Sequence, residues 1–443
     1  MIAASAPAAF AATMRERAAA DTAAIGATDA GGSHTWADLV RRSAHLARRL
    51  PSGRRIAVLV PQSAGALAVL AACDRAAVEA LVISAIYGRD RARRHAAAAG
   101  AHVLIACDDG DLEIERLGEG VRAAGSSLLV LTSGTSGSPK CARHIWPTLA
   151  ATVRRTRHHA GMRVFCGHPL AQFGGLQVVA QAVFGGGVLY VPPDFSPSTA
   201  LALLERHGAD CLCGTPSYVR HLLLAGGADV LRRACVRRVT LGGEIADQPL
   251  LEAIRQALPD AAVVHIYAST ELGAIVAVRD GRAGFDASLL DGERLRLVDG
   301  VIHARRAPQA MVGYADRSPG SADEWVSTGD LAEVVDGRVL FRGRTSDVFS
   351  VGGSKVNPIE VEAVVRDVPG VLDVVVGGHR SSILGALPKA IVRADATMDR
   401  AALERAVIER CAARLPPHMV PRLLEFRDTI ETSECQKVQR RES

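Results

Sequence analysis

The stretch LLVLTSGTSGSPK, residues 128–140, joins four consecutive apolar residues to a run of glycines and hydroxyl side chains that ends in a lysine. The apolar residues are typical of a buried strand. The glycines allow the backbone that follows to take positive φ and to approach an anion closely, and successive N–H groups in such a loop form an anion-binding concavity. The sequence therefore predicts a strand that leads into a phosphate-binding loop.

This loop differs from the common nucleoside-triphosphate loop. Counting from Gly134, Pro139 stands where that motif has its second glycine, and Cys141 follows Lys140. A flexible Ser/Gly linker is the alternative interpretation. Linkers seldom follow four apolar residues of the kind found in a core, so the phosphate loop is favoured.

Lysine is rare in this chain. The 52 basic residues include only four lysines, at positions 140, 355, 389 and 437. Because arginine supplies positive charge elsewhere, a retained lysine indicates a site that needs a compact ammonium group on a flexible stem. Lys140 and Lys437 are therefore candidate functional residues.

The rest of the sequence predicts an α/β fold. Strand-length apolar runs alternate with segments of helical spacing such as 35–50 and 197–207. The predicted strands are residues 56–60, 80–84, 103–106, 128–132, 188–191, 211–214, 239–242 and 263–267. This alternation predicts a large N-terminal domain of α/β sheets with crossover helices.

The pattern of apolar runs and turn residues changes towards the C-terminus. From about Gly273, short strands and Asp-Gly turn signals predict a small β-rich module. The last hundred residues predict a small, mobile α+β domain with helices at 358–366 and 399–415. We therefore predict two domains, 1–344 and 345–443.

Composition excludes several classes of function. The net charge of +5 is modest for 443 residues, and aromatic residues make up only 4%, which leaves few platforms for stacking nucleic-acid bases. The nine cysteines are scattered without a C-x-x-C pair, which favours a reducing cytoplasm. No segment approaches the roughly 20 uninterrupted apolar residues of a membrane span. We expect a cytoplasmic protein without a nucleic-acid partner.

Further motifs follow the loop in a fixed order. They are LGGE at 241–244, YASTE at 267–271, STGDL at 327–331, GRTSD at 343–347, GGSKVNPIEVE at 352–362, LPPHMVP at 415–421 and KVQR at 437–440. In this order, and over nearly its whole length, the chain resembles the adenylate-forming superfamily of acyl-CoA synthetases, firefly luciferase and peptide-synthetase adenylation domains. Each motif alone is weak evidence, but six or more in order are very improbable by accident.

The resemblance implies a binding site for ATP and Mg²⁺. Asp330 would accept hydrogen bonds from the ribose hydroxyls, and Tyr267 would stack on adenine. Thr270 would donate to a phosphate, while Glu271 would supply a carboxylate oxygen to Mg²⁺. The ATP-binding residues implied by the resemblance are Thr132, Ser133, Gly134, Thr135, Ser136, Gly137, Lys140, Gly243, Glu244, Tyr267, Asp330 and Arg344.

The implied reaction has two steps. A carboxylate attacks the α-phosphorus of ATP and expels pyrophosphate, and a thiol then attacks the acyl-adenylate and expels AMP. Lys437, with Thr270 and Glu271, is implied to be catalytic, because its charge would neutralise the transition state of the first step. The C-terminal domain would turn between the steps, bringing Gly352 and Gly353 to the site as a narrow passage for a pantetheine arm.

The pocket for the acid is expected near the start of a helix at 173. Relatives that activate α-amino acids usually carry an Asp beside the Phe of this region, whereas Gly174 follows Phe173 here. An unpaired ammonium buried there would cost several kcal/mol. We predict an acid without an α-ammonium, aromatic or short to medium aliphatic, in a pocket lined by Gln172, Phe173, Gly175, Gly242, Ala268 and Ser269.

The chain departs from the pattern of the superfamily at several positions. Ser346 stands where the hinge usually has Asp or Lys, and Ala268 replaces the glycine of the Thr-Glu motif. Residues 431–433 read Glu-Thr-Ser instead of Pro-Arg-Thr, and Gln436 replaces a glycine beside Lys437.

The acceptor and the class of function leave alternatives open. CoA is the first candidate for the thiol, and a carrier protein or an amine are alternatives. The arginines at 232, 233, 237 and 238 could meet either a CoA phosphate or the acidic face of a carrier protein. A non-catalytic nucleotide-binding homologue with a regulatory or scaffolding role is an alternative of another class, and the retention of Lys437 argues against it.

Overall fold

The computed structural model describes residues 9–108, 111–123, 125–132, 140–153, 159–316, 324–381, 384–428 and 430. They belong to two compact units. The first unit comprises Met1–Ala283 and Arg306–Glu324, and the second comprises Gly284–Arg305 and Trp325–Ser443. The chain thus leaves the first unit, returns to it for one short segment, and leaves it again.

The helices in the described residues are α1 Phe10–Ala20, α2 Trp36–Ala47, α3 Gly65–Arg75, α4 Arg89–Ala98, α5 Trp146–Ala150, α6 Phe173–Gly185, α7 Pro197–His207, α8 Pro216–Leu224, α9 Ala228–Arg233, α10 Gln248–Ala257, α11 Pro358–Arg366 and α12 Arg400–Arg414. None of these described helices is long and apolar enough to cross a membrane.

The strands of the first unit are β1 Ile25–Asp29, β2 Gly32–Thr35, β3 Arg55–Val60, β4 Glu79–Ser84, β5 Val103–Asp108, β6 Asp111–Arg116, β7 Ser127–Thr132, β8 Lys140–His144, β9 Arg163–Gly167, β10 Val188–Tyr190, β11 Cys211–Gly214, β12 Arg238–Gly242, β13 Ala262–Ser269, β14 Gly273–Val278 and β18 Gly313–Tyr314. Those of the second unit are β15 Phe285–Asp286, β16 Leu295–Val298, β17 Val301–Arg305, β19 Trp325–Val335, β20 Arg338–Arg344, β21 Phe349–Val351, β22 Ser354–Val356, β23 Val371–Ser381, β24 Gly385–Ala394 and β25 Leu423–Phe426.

The first unit contains two mixed sheets. One has the order β14-β13-β12-β11-β9-β10-β1-β2, with parallel strands from β13 to β1 and an antiparallel strand at each edge. The other has the order β18-β8-β7-β4-β3-β5-β6, with a parallel centre of β7, β4, β3 and β5. The predicted strands are confirmed, and each matches a strand of these sheets to within a few residues.

The central strands read as continuous apolar runs because both of their faces are buried. In β3, Ile56, Val58 and Val60 pack into one core, while Ala57 and Leu59 pack into another on the opposite face. The first of these cores also receives residues of β9 and β11, so the two sheets share it together with α3 and α6. The carboxyl ends of β7, β12 and β13 carry Thr132, Gly242 and Ser269, and ligands of open α/β sheets bind at such ends.

The second unit contains an antiparallel sheet and an α+β part. The sheet has the order β15-β20-β19-β17-β16, and the α+β part has the β21-β22 hairpin and the sheet β23-β24-β25. Valines of α11 and β23 share a core with α12. Helix α11 begins where predicted, because Asn357 accepts a hydrogen bond from the Ile359 N–H at 3.2 Å and Pro358 occupies the first turn.

Two details differ from the sequence prediction. The β-rich module begins at Phe285 rather than near Gly273, because β14 pairs with β13 at the edge of the eight-stranded sheet. Residues 306–316, called here the return segment, pack in the first unit and contribute β18 to its second sheet. The predicted domain boundary after residue 344 falls inside the second unit, between its antiparallel sheet and its α+β part, and stays a prediction of where the chain hinges.

Candidate active site

The predicted phosphate loop is closed by two antiparallel strands. Thr132, the last residue of β7, faces Lys140, the first residue of β8, across the ladder. The predicted loop residues between them, Ser133, Gly134, Thr135, Ser136 and Gly137, lie outside the described residues. The Lys140 ammonium lies 5.6 Å from the centre of the Tyr314 ring, within the range of a cation–π contact.

Tyr314 links this lysine to Glu271. It lies on β18 of the return segment and pairs with Ala142 of β8. Its hydroxyl donates to Glu271 Oε1 over 3.5 Å, a long hydrogen bond. The sequence analysis did not find Tyr314, and the only available signal was that tyrosine is scarce, with five in 443 residues.

A buried ion cluster holds the return segment in place. Glu79 accepts from Arg55 Nε at 2.5 Å and from Arg143 Nε at 2.6 Å. Both guanidinium groups also donate to the carbonyl oxygen of Ala315, at 3.2 and 3.4 Å. Because Ala315 directly follows Tyr314, the cluster also helps to fix the position of the Tyr314 ring.

Thr270 and Glu271 form a turn after β13, called here the 270–271 corner. Its two carbonyl groups are held from different elements. The Glu271 carbonyl accepts from the Met311 N–H of the return segment at 2.9 Å. The Thr270 carbonyl accepts from His144 Nε2 of β8 at 2.7 Å. The corner therefore depends on parts of the chain that lie far from it in sequence.

His144 is fully buried and was not found by the sequence analysis. Burial lowers its pKa to about 4, although the bond to the Thr270 carbonyl opposes this shift. The ring is therefore neutral at pH 7, and because Nε2 must donate to a carbonyl, Nδ1 is the acceptor nitrogen. Nδ1 lies 3.1 Å from the Thr148 hydroxyl, and the ring centre lies 5.2 Å from that of Phe173.

The predicted acid pocket begins at the N-terminus of α6. The Gln172 N–H donates to the Pro169 carbonyl at 3.0 Å, which turns the chain into the helix. A Cβ on Gly175 would lie 2.1 Å from that same carbonyl oxygen, so the close turn requires glycine at 175. Phe173 is nearly buried, and Ala268 packs against the core to which Phe173 belongs.

The remaining predicted pocket residues lie at the ends of β12 and β13. A Cβ on Gly242 would meet nothing closer than the Ile266 carbonyl oxygen at 4.0 Å, so this position borders open space. Ser269 accepts from the Leu272 N–H at 3.1 Å and thereby shapes the 270–271 corner. The structure thus brings Phe173, Ala268 and Ser269 to the same side of the first unit as Thr270.

The predicted adenine residues follow β12 and β13. Gly243 directly follows β12, and the carboxylate of Glu244 accepts from the Ser217 N–H at 2.9 Å, at the start of α8. A carboxylate is stabilised at a helix N-terminus by the unpaired N–H groups there. Tyr267 lies where the β13-β14 pairing shifts register, which turns the backbone between Tyr267 and Ala268. Their contact with adenine stays a prediction.

In the second unit, the two predicted ribose ligands contact each other. Asp330 of β19 and Arg344 of β20 are directly opposite in the ladder, and Arg344 Nε donates to Asp330 Oδ1 at 2.8 Å. Asp330 is buried, and its N–H donates to Thr328 Oγ1 at 3.1 Å. The guanidinium therefore fixes the orientation of the carboxylate, and the contact of Asp330 with ribose stays a prediction.

The predicted thiol passage is the two-residue turn between β21 and β22. Gly352 and Gly353 have φ of +55° and +88°, as the central residues of a tight hairpin turn require. A Cβ on Gly353 would meet no atom within 4 Å. The turn alone explains both glycines, and the passage stays a prediction.

The remaining predicted features are Lys437 with its neighbours, Ser346 and the four arginines. Lys437, Gln436 and residues 431–433 lie outside the described residues. The hydroxyl of Ser346 donates to Asp347 Oδ1 at 3.1 Å. Arg232 and Arg233 pair with Asp229 and Glu205. Residues 237 and 238 lie at the amino end of β12, opposite to Gly242, and the role of the four arginines towards the acceptor stays a prediction.

The donor set of the 270–271 corner suits Mg²⁺. Glu271 offers a carboxylate, which is a hard oxygen donor, while the Thr270 hydroxyl is predicted to donate to a phosphate. Among the described residues, no group of three or more His, Cys, Asp or Glu side chains could hold a metal ion. A single carboxylate is nevertheless what Mg²⁺ needs when phosphate oxygens supply its other ligands.

Comparison with known proteins identifies the family. The chain matches the AMP-binding enzyme model over residues 123–300 and the AMP-binding enzyme C-terminal domain model over residues 360–437. It is 28% identical over 345 residues to the 2-succinylbenzoate–CoA ligase of Geobacillus kaustophilus strain HTA426, covering 71% of this chain and 68% of that enzyme. The corresponding ligase of Listeria monocytogenes serotype 4b strain F2365 is 25% identical over 339 residues, or 71% and 69% of the two chains.

The crystal structure of the anthranilate CoA ligase AuaEII in complex with anthranoyl-AMP has the same fold, with a TM-score of 0.79 and 18% identity over 98% of this chain and 96% of that one. The two family models together span more than half of the sequence and agree with the resemblance carried by its motifs. The chain therefore belongs to the family of AMP-binding enzymes.

Proposed function

We propose that the protein is an AMP-forming acid–CoA ligase, which activates a carboxylic acid with ATP and Mg²⁺ and transfers the acyl group to the thiol of CoA. The observation that carries the proposal is the 270–271 corner. There Tyr314 brings the Lys140 ammonium and the Glu271 carboxylate together beside the predicted phosphate loop, in a chain of the AMP-binding family.

The first step forms a bond between a carboxylate oxygen and the α-phosphorus and breaks the bond to pyrophosphate. Lys140 offsets the negative charge of the phosphates, and the Thr270 hydroxyl donates to a phosphate oxygen. Bound Mg²⁺, held by Glu271 and phosphate oxygens, would neutralise the departing pyrophosphate. Asp330 accepts the ribose hydroxyls and orients the nucleotide. Lys437 is proposed to approach the reacting atoms in this step.

The second step forms a thioester and expels AMP. The thiol sulfur attacks the carbonyl carbon of the acyl-adenylate, and the electron pair of the broken C–O bond leaves with AMP. CoA is the proposed thiol because the similar curated proteins from Geobacillus and Listeria are CoA ligases. A carrier protein or an amine would use the same adenylation residues, so these acceptors belong in the test.

The proposed acid lacks an α-ammonium group; an aromatic acid is the first candidate and a short to medium aliphatic acid is the alternative. Within the described stretch 168–176, the sequence HPLAQFGGL supplies no carboxylate to pair an ammonium. A Cβ at position 174 would lie 3.2 Å from His168 Nδ1, so an aspartate there would require the imidazole to shift by a few tenths of an ångström. Two of the similar proteins act on aromatic acids, 2-succinylbenzoate and anthranilate, and another is a 2-methylpropanoate–CoA ligase, which acts on a short aliphatic acid.

The test is ATP/pyrophosphate exchange with a panel of aromatic, aliphatic and amino acids, followed by thioester formation with CoA or a carrier protein. We expect Mg²⁺-dependent exchange with an aromatic acid and a thioester with CoA. Measurable ATP binding without exchange for any acid would favour the non-catalytic alternative. Selective exchange with a proteinogenic amino acid would overturn the assignment of the acid.

A further inference from the structure

His144 contacts both the 270–271 corner and the predicted acid pocket, where ATP and the acid are proposed to bind for the first step. Its Nε2 donates to the Thr270 carbonyl at 2.7 Å, and its ring centre lies 5.2 Å from the ring centre of Phe173. The first contact reaches the 270–271 corner, and the second reaches Phe173 in the wall of the predicted acid pocket. Neither contact is local, since residues 144 and 270 are 126 positions apart.

The hydrogen bond fixes the orientation of one peptide group. The Thr270 carbonyl belongs to the peptide that joins Thr270 to Glu271, so its direction sets where the Glu271 side chain starts. The next carbonyl along the chain is held by the Met311 N–H at 2.9 Å. Without His144, the Thr270 carbonyl would lose this bond, and of the two bonds only the one from Met311 to the Glu271 carbonyl would remain.

His144 is itself held firmly. Its side chain is fully buried, and Nδ1 lies 3.1 Å from the Thr148 hydroxyl at the start of α5. A side chain bonded at one nitrogen and packed on one face has little freedom to rotate. A displacement of Phe173 would therefore shift the Thr270 carbonyl through His144, and a displacement of that carbonyl would shift Phe173.

We propose that His144 is a positioning residue, which sets the distance between the acid pocket and the Mg²⁺-binding carboxylate through its separate contacts with Phe173 and Thr270. This inference rests on the proposed function. The imidazole takes no part in bond making. Its hydrogen bond orients Glu271, and its ring supports the wall against which the acid lies.

The two contacts can be separated by substitution. His144→Gln retains an amide N–H that can reach the Thr270 carbonyl but removes the ring. His144→Leu removes both while keeping an apolar side chain in the core. His265→Leu is a matched control, because the buried His265 contacts a backbone carbonyl, that of Arg282, at 3.0 Å and takes no part in the proposed site.

Two measurements distinguish positioning from a purely structural role. The first is the affinity for ATP with Mg²⁺ and with a chelator, by calorimetry, which needs no turnover. The second is exchange at varied concentrations of Mg²⁺ and acid. For His144→Leu we expect the gain in ATP affinity due to Mg²⁺ to fall about tenfold, the effect of one lost buried hydrogen bond, and the KM for the acid to rise by a similar factor.

For His144→Gln we expect a Mg²⁺ response close to that of the unchanged protein but a raised KM for the acid. His265→Leu should lose stability and change neither quantity. The proposal is wrong if folded His144→Leu or His144→Gln keeps both quantities, or if the Gln variant loses the Mg²⁺ response as fully as the Leu variant. If His144→Leu does not fold, the Gln variant decides alone.

Failure of the proposed function would be seen separately. If the unchanged protein shows no exchange with any acid, the ligase assignment fails, and the calorimetric comparison still tests whether His144 orients Glu271. If exchange occurs and the variants show no selective effect, only the role of His144 is overturned.

Discussion

The 270–271 corner and the pair of Asp330 and Arg344 are proposed to bind the same nucleotide, but they are built differently. The ribose pair comes from neighbouring strands whose register alone places the two side chains opposite each other. The corner is held by His144 and Met311, which come from separate stretches of the chain. The difference teaches that strand register alone can place one pair of proposed ligands, whereas another set depends on distant parts of the chain, so the two should respond differently to mutation.

The largest effect is expected from Glu271→Gln. The substitution keeps the size and the hydrogen bond to Tyr314 but removes the charge that is proposed to bind Mg²⁺. We expect exchange to fall by up to about a thousandfold, equivalent to about 4 kcal/mol. Initial-rate measurements at saturating ATP and varied Mg²⁺ check this, with exposed Glu252→Gln of α10 as the control. A loss of less than threefold would show that Glu271 does not carry the metal.

The next effect concerns the stability of the corner as a function of pH. The pKa of buried His144 is lowered to about 4 from an ordinary value near 6.5. Between these values the unfolded chain binds a proton that the folded chain does not, so the free energy of unfolding decreases as pH falls through this window. The contribution amounts to about 3 kcal/mol between pH 6.5 and 4.

Denaturant unfolding at several pH values tests this point. The stability difference between the unchanged protein and His144→Gln should shift in favour of the variant as pH falls from 7 to 4, because the variant has no imidazole to protonate. A difference that does not change with pH would mean that His144 is not held neutral by burial.

A smaller effect is expected at the ribose pair. Asp330→Asn keeps the shape but weakens the acceptor, so the KM for ATP should rise about tenfold, equivalent to about 1.4 kcal/mol. The discrimination between ATP and 2′-deoxy-ATP should shrink as well. Asp336→Asn, at the turn of the same β19-β20 hairpin, is the control. Unchanged discrimination in the Asp330 variant would remove Asp330 from the ribose site.

The smallest effect on stability is expected at Gly353. Asn tolerates positive φ, whereas Leu in that conformation costs about 1 kcal/mol. Gly337, in another hairpin of this unit, is the control: it has φ +74° and no atom near its Cβ position, and it can be replaced by Asn and by Leu in the same way. If a pantetheine arm passes Gly353, Gly353→Asn should impair thioester formation but not exchange, while Gly337→Asn impairs neither. Normal thioester formation by Gly353→Asn would leave the glycine with only its turn role.

Much of the fold could be predicted because burial on both faces leaves a plain signal. The residues of β3 and β4 are buried throughout, and their sequences are short apolar runs. The start of the β-rich module could not be placed, since β14 is equally short and its pairing with β13 depends on the edge of a sheet formed elsewhere. The return segment gave no signal either, because its strand β18 has only two residues.

The site was predictable only in part for a similar reason. Glu271 and Asp330 stand in motifs of consecutive residues, so a single stretch of sequence identifies each of them. His144 and Tyr314 contact Thr270 and Glu271 across 126 and 43 positions. A buried histidine looks in sequence like any other polar residue of a strand. The role of His144 depends on its hydrogen bond to the Thr270 carbonyl, which is visible only in the folded chain.

The return segment also has a consequence for the order in which the protein can be made. Synthesis from the N-terminus delivers Thr270 and Glu271 before Met311 and Tyr314, and residues of the second unit emerge in between. A nascent chain that has reached only Ala283 lacks β18 and the N–H that holds the Glu271 carbonyl. The 270–271 corner is thus completed late in translation, and a truncated fragment of the first unit would have its other strands but neither β18 nor the finished corner.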